Sequence, residues 1–148
     1  HMIIGFATGM VVSSGTGIAQ TIAGGCLGAV VALLPDIDHP NSRVSNSLGL
    51  IAIPFRLIPH RTVTHAVWIP MVLMMWWVSS PQWWVATIAL AYTSHIISDA
   101  MTLRGVPLLY PLVRRSFGVP IIRTGGFFER VFALLMILGL VIYWERFI

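Results

Sequence analysis

The chain has 148 residues, 57% of them hydrophobic and only 9% charged. Soluble domains carry roughly 25% charged residues, so an ordinary soluble domain is excluded before any motif is read. Nine arginines, no lysine and five acidic residues leave a net charge of +4. That is too small and too scattered for a nucleic-acid partner, and it suits a lipid bilayer surface or anionic head groups gripped by guanidinium forks.

The length suits one helical domain over residues 1–148, and the mean hydropathy of +0.85 places it in a membrane. Met2–Val12 is apolar but reaches only about 17 Å, short of the roughly 30 Å hydrocarbon core. It is expected to tilt or to dip in without crossing. Ser13-Ser14-Gly15-Thr16-Gly17 reads as a turn. Gly17–Leu34 is long enough to span and stops at Pro35. Thr62–Val78 reads as a slightly short span, and Gln82–Met101 and Phe127–Ile148 as full ones. Trp76, Trp77, Trp83 and Trp84 flank Ser79-Ser80-Pro81 and read as an interfacial aromatic belt around a tight turn. Two Arg-, Pro- and Gly-rich connections remain, Asp36–Arg61 and Thr102–Gly126. The single Cys26 excludes an internal disulfide. The expected fold is an all-α integral membrane protein of four to five transmembrane helices. Its expected packing contacts are the small residues of Gly17–Gly28 and Ala86–Ala91.

Alternating the helix directions brings every histidine, every aspartate and Glu129 to one end of the bundle, with all the arginines except Arg146. By the positive-inside rule that end is expected to be cytoplasmic. Ionisable groups at membrane depth are expensive and mark function. Asp36, Asp38 and His39 follow the helix that Pro35 stops. His60 and His65 bracket the start of the third span, His95 and Asp99 share a face at i, i+4, and Glu129 opens the last helix. His1 is a further ligand candidate, although a leading His-Met pair is also what a cloning scar leaves. Mixed nitrogen and oxygen donors suit one or two divalent ions, with Zn²⁺ the first expectation and Mn²⁺ or Fe²⁺ as alternatives. Asp36 or Asp38 is the expected general base, and Arg61, Arg104 and Arg123 are expected to hold a phosphate.

The motifs "LLPDIDHP", "HRxxTH", "SHxxxD" and "TxxGVPLLYP", in order over nearly the whole chain, resemble the YdjM-type family, described as membrane-bound metal-dependent hydrolases. The family opens its first helix with a histidine, which His1-Met2-Ile3-Ile4-Gly5 fits, and a Glu at the start of the last helix fits Glu129. Its histidine motif resembles His-Arg-Gly-x-Thr-His-Ser. Thr62 stands here for the Gly and Ala66 for the Ser, so both imidazoles are kept and one hydroxyl is lost. The His-x-x-x-Asp pair is also similar to that of zinc-dependent phospholipases C and P1-type nucleases. The resemblance implies a metal-dependent hydrolase, a reaction class and not a substrate; the expected reaction is attack of metal-activated water on a phosphoester of a lipid or other amphipathic substrate, in a multi-pass protein of the inner membrane. The alternative is a metal-binding membrane scaffold or a small transporter subunit. Sequence is silent on oligomeric state.

Overall fold

The computed structural model describes residues 1–57, 61–119 and 127–147, with the side chains of residues 43, 127–130, 132 and 146–147 outside that description. His60 and Arg123 and the side chain of Glu129, all expected at the site, therefore lie outside the described residues. The described residues form seven α-helices in order: α1 (Met2–Ser13), α2 (Ile18–Val31), α3 (Arg43–Leu48), α4 (Ile53–Arg56), α5 (Trp68–Ser79), α6 (Trp83–Ala100) and α7 (Phe127–Phe147). Three 3₁₀ turns interrupt them at Leu34–Asp38, Gly49–Ala52 and Val63–His65. The described residues hold no strand, only an isolated antiparallel bridge between Val106 and Phe117. The protein is all-helical.

One expectation is narrowed. Ile18–Asp38, which is α2 continued through the 3₁₀ turn, covers 21 residues at mean hydropathy 1.8 and is the one described helix long and apolar enough to cross a membrane. Met2–Ser13, Trp68–Ser79 and Ala133–Glu145 are shorter apolar helices. The expected span over Thr62–Val78 is divided: Val63–His65 is a 3₁₀ turn, Ala66 is extended, and α5 begins only at Trp68. Two causes are visible, one local and one tertiary. β-Branched Thr62, Val63 and Thr64 favour a helix weakly. The Val67 N–H donates to Leu108 O at 2.8 Å, which ties the start of α5 to a distant loop. The Asp36–Arg61 connection is also more ordered than its composition suggests, since it contains α3 and α4.

α6 is the central element, packing on α1, α2 and α5. Its Ala91, Tyr92 and Ile96 form a buried cluster with Val31 and Val106. α1 and α2 pack more closely still. Gly5 and Gly9 of α1 lie against Gly28 and Gly24 of α2, and a Cβ on Gly9 would collide with the Gly24 carbonyl. Two small-x-x-x-small stripes thus let the backbones touch, the device that membrane helices use where Leu against lipid gains nothing. The contact seats His1, at the start of α1, beside the end of α6.

Gly9→Leu is expected to destabilise the fold by about 1–3 kcal/mol through overpacking. Gly139→Ala on α7, where nothing lies within 4 Å of the added carbon, is expected to leave stability unchanged or slightly raised. Thermal unfolding of the detergent-solubilised protein distinguishes the two. Equal melting curves for wild type and Gly9→Leu would mean that this helix contact is not close.

Candidate metal centre

Four chain segments meet at one end of the bundle. His1 stands at the N-terminal end of α1, Asp36 in the turn after α2 and His65 in the turn before α5, while His95 and Asp99 lie on the last turns of α6. Pro35 stops α2 and sits at the start of a 3₁₀ turn, which carries Asp36 inward. His1 Nε2 lies 3.2 Å from Asp99 Oδ1, and His65 Nε2 lies 3.4 Å from Asp99 Oδ2 and 3.9 Å from Asp36 Oδ1. His95 Nε2 lies 3.7 Å from Asp36 Oδ1 and 3.9 Å from Asp99 Oδ2. Two triads emerge, His1–His95–Asp99 and Asp36–His65–His95, each with its ligand atoms within 4.8 Å of one another. His65 and His95 are fully buried and Asp99 is 2% exposed, whereas Asp36 keeps 27% of its side chain open.

The surrounding hydrogen bonds set the imidazole tautomers. His95 Nδ1 lies 2.7 Å from Ala32 O, and a carbonyl only accepts, so Nδ1 carries the proton and Nε2 the lone pair. His65 follows by a longer route. The Thr64 hydroxyl donates its single proton to Asp38 Oδ2 at 2.8 Å. Thr64 Oγ1 must then accept from His65 Nδ1, also at 2.8 Å, which leaves the lone pair of His65 on Nε2. Tyr92 O–H donates to the Thr64 carbonyl at 2.6 Å and holds that turn against α6. Both Nε2 lone pairs therefore face carboxylate oxygens. His95 Nε2 is buried and has no hydrogen-bond partner among the described residues. A cation between these donors relieves the repulsion, so the residues fit a divalent ion of the kind that nitrogen and oxygen donors take.

The other expected residues are placed differently. Asp38 is buried at 1% exposure but accepts from Thr64 Oγ1 and from the Arg61 backbone N–H at 3.2 Å. It orients the histidine turn and belongs to neither triad. His39 is extended at the end of its 3₁₀ turn, and its Nδ1 accepts the Asn41 N–H at 3.1 Å; it too is in neither triad. Arg61 Nη2 pairs with Asp99 Oδ2 at 2.7 Å and Nη1 donates to Gly105 O at 3.2 Å. Its φ is +60°, a left-handed conformation that a non-glycine residue adopts at a cost. Arg104 opens on a separate cavity of about 510 Å³, shared with Arg61 and Arg114. Sequence reasoning missed Thr64, Tyr92 and Arg114. Thr64 stands beside His65 in the histidine motif, and Tyr92 lies one helical turn before His95, so proximity was the one signal available.

The sequence profile described as YdjM inner membrane protein matches residues 1–147. The chain belongs to that family. The inner membrane protein YdjM of Escherichia coli (strain K12) is 36% identical over 111 residues, which cover 68% of this chain and 56% of that protein. The same protein of Shigella flexneri matches equally, and the uncharacterized protein YvsG of Bacillus subtilis (strain 168) is 32% identical over 109 residues, covering 70% of this chain and 67% of YvsG. The chain thus spans little more than half the length of its YdjM relatives. No solved structure matches.

Thr64→Val deletes the hydroxyl that links Asp38 to His65 and is expected to cost about 1–3 kcal/mol, because two buried partners lose their bond. Thr93→Val removes a hydroxyl bonded only to Ala89 O in its own helix and is expected to change stability by no more than about 0.5 kcal/mol. Chemical or thermal denaturation in detergent reads the difference. Identical losses in the two variants would show that the link adds nothing beyond helix packing.

Proposed function

We propose that the chain is a multi-pass inner-membrane hydrolase, with a divalent-metal site at one membrane face, that cleaves a phosphoester of an amphipathic substrate. The observation that carries this reading is the convergence of His1 and Asp36 on the buried His65, His95 and Asp99, with the lone pairs of His65 and His95 turned inward. Charge counting supports the same reading. With neutral imidazoles, Asp36, Asp38 and Asp99 against the one guanidinium of Arg61 leave two negative charges, which one divalent ion neutralises. His95 has one lone pair to give, so the two triads share one ion or compete for it. That favours a single ion, Zn²⁺ before Mn²⁺ or Fe²⁺.

His1, Asp36, His65, His95 and Asp99 would hold the ion, which supplies Lewis acidity and brings the pKa of water to about 7. The protein supplies orientation and proton handling. Asp36, the most open carboxylate of the cluster, is placed to take a proton from a water approaching from solvent. Asp38, buried and engaged by Thr64 and Arg61, keeps His65 aimed. Arg61 offsets Asp99 and turns its remaining fork towards Gly105. The scaffold alternative would close its coordination shell, whereas an exposed carboxylate at the mouth leaves room for a reacting group.

Membrane embedding is supported by outward-facing apolar side chains on several helices: Ile18, Ile22 and Val30 on α2, Val72, Met75 and Val78 on α5, and Leu134, Leu138 and Val141 on α7. Such contiguous exposure is costly in water and natural against lipid. Four to five crossings would need the shorter helices to sit in a locally thinned bilayer or to be extended by flanking turns.

His95→Ala and Asp99→Ala are each expected to lose the metal and at least about 99% of activity while still inserting in the membrane. Thr64→Val is expected to keep the metal with about 10–100-fold weaker affinity. Elemental analysis of the purified proteins, paired with a phosphodiester or phospholipid cleavage assay, checks both. Equal metal in wild type and His95→Ala would reduce the cluster to a hydrogen-bonded polar core.

The proposed topology puts the ligand end in the cytoplasm and the α5–α6 turn outside. In a Cys26→Ala background, Ser80→Cys is expected to react with a membrane-impermeant maleimide in intact cells. Ser116→Cys is expected to react only after permeabilisation. The reverse labelling would overturn the orientation.

A further inference from the structure

The cavity beside the metal cluster is lined by Arg61, Arg104, Gly105, Tyr110 and Arg114, with no acidic residue among the described residues of its lining. Arg61 is already paired with Asp99. Arg104 and Arg114 are exposed and have no ion pair among the described residues. Two guanidiniums therefore face one cavity uncompensated among the described residues, in a protein with five acidic residues in all. The loop that carries them is built rather than loose. Val106 and Phe117 exchange N–H···O bonds at 2.9 and 2.8 Å, Val119 N–H reaches Ala100 O at the end of α6, and Trp68 Nε1 holds Tyr110 O at 2.7 Å. Gly105 is required at the base. Its φ is +60°, and a Cβ there would press on the Phe117 carbonyl. The rest of the same loop is apolar and open, with Leu103, Leu112 and Phe117 exposed.

We infer that this cavity binds the phosphomonoester headgroup of an anionic lipid, with Arg104 and Arg114 on the phosphate and the exposed leucines in the acyl region of the membrane. A phosphomonoester carries about −1.5 to −2 at neutral pH, matching two unpaired guanidiniums, whereas a diester carries a single charge. Guanidinium forks bind such oxygens in pairs. The apolar surround favours a lipid over free phosphate, since a soluble anion has no use for it. The inference rests on the proposed hydrolase reading only in calling this lipid a substrate, because Arg61 touches both the cavity and Asp99. The binding itself needs no turnover.

The test is calorimetric titration of the purified full chain in detergent with dihexanoyl phosphatidate, dihexanoyl phosphatidylglycerol and inorganic phosphate. The variants are Arg104→Ala, Arg114→Ala, Arg115→Ala and His95→Ala. Phosphatidate is expected to bind most tightly. Arg104→Ala and Arg114→Ala are each expected to weaken it about tenfold, the loss of one charge-assisted bond. Arg115→Ala, next in the chain but outside the cavity lining, is expected to bind as wild type. His95→Ala is expected to retain binding, which separates the cavity from the metal cluster. Wild-type binding by both Arg104→Ala and Arg114→Ala would overturn the site. Inorganic phosphate bound as tightly as phosphatidate would overturn the lipid, and phosphatidylglycerol bound as tightly would overturn the monoester. Loss of binding in His95→Ala would assign the anion to the metal.

Discussion

A carboxylate buried at the end of an apolar helix sets the terms for everything around it. Asp99 is 2% exposed, and an isolated charge there would cost several kcal/mol to desolvate. Arg61 answers that cost directly at 2.7 Å, while His1 at 3.2 Å and the lone pair of His65 at 3.4 Å complete a set of donors that a cation would draw together. The helix ends are arranged around this point. α1 must be close enough to deliver His1, α2 must stop early enough to let Asp36 turn in, and α5 must start late enough to leave His65 on a turn. The short helices and the broken third span follow from what the site needs of the chain.

Those demands are met by two kinds of packing. On the α1–α2 side, the Gly5–Gly28 and Gly9–Gly24 approach replaces side-chain interdigitation by backbone contact. Around α6 the contact is side-chain to backbone: Tyr92 O–H to Thr64 O in the turn before α5, and His95 Nδ1–H to Ala32 O at the end of α2. Each of these bonds ties a site residue, or its neighbour, to a helix in the core. The imidazoles are thus held by the same interactions that close the bundle, and little rotameric freedom remains to be lost on binding an ion.

The helical class and the polar end of the bundle were legible in the sequence, because hydropathy runs and alternating helix direction are local and additive signals. The i, i+4 pair His95–Asp99 was legible for the same reason, since helical geometry alone puts both on one face. Span lengths were less so. Thr62–Val78 reads as one apolar run, but the Val67 N–H is taken by Leu108, forty-one residues on, and no local pattern records that. Asp36 and Asp38 are equivalent in sequence, two apart in one turn. The 3₁₀ geometry sends one to the ligand cluster and the other to Thr64, a choice made by tertiary contact. The sequence puts Arg114 at the ligand end with seven other arginines, but nothing in it singles Arg114 out until the Val106–Phe117 bridge closes its loop.

Arg61 joins these parts into one device. Its backbone N–H is held by Asp38, its guanidinium spans from Asp99 to the Gly105 carbonyl, and its φ of +60° is the strained position that lets it do all three. A lysine could not take this place, because a point charge cannot reach a carboxylate and a carbonyl through one rigid fork. The left-handed backbone costs of order 1–3 kcal/mol and persists because surrounding contacts over-determine it. Strain of this kind places one side chain at the seam between a metal-ligand cluster and a basic cavity. Arg61 lines the cavity while its charge is engaged by Asp99, so the guanidiniums left for an incoming anion are those of Arg104 and Arg114.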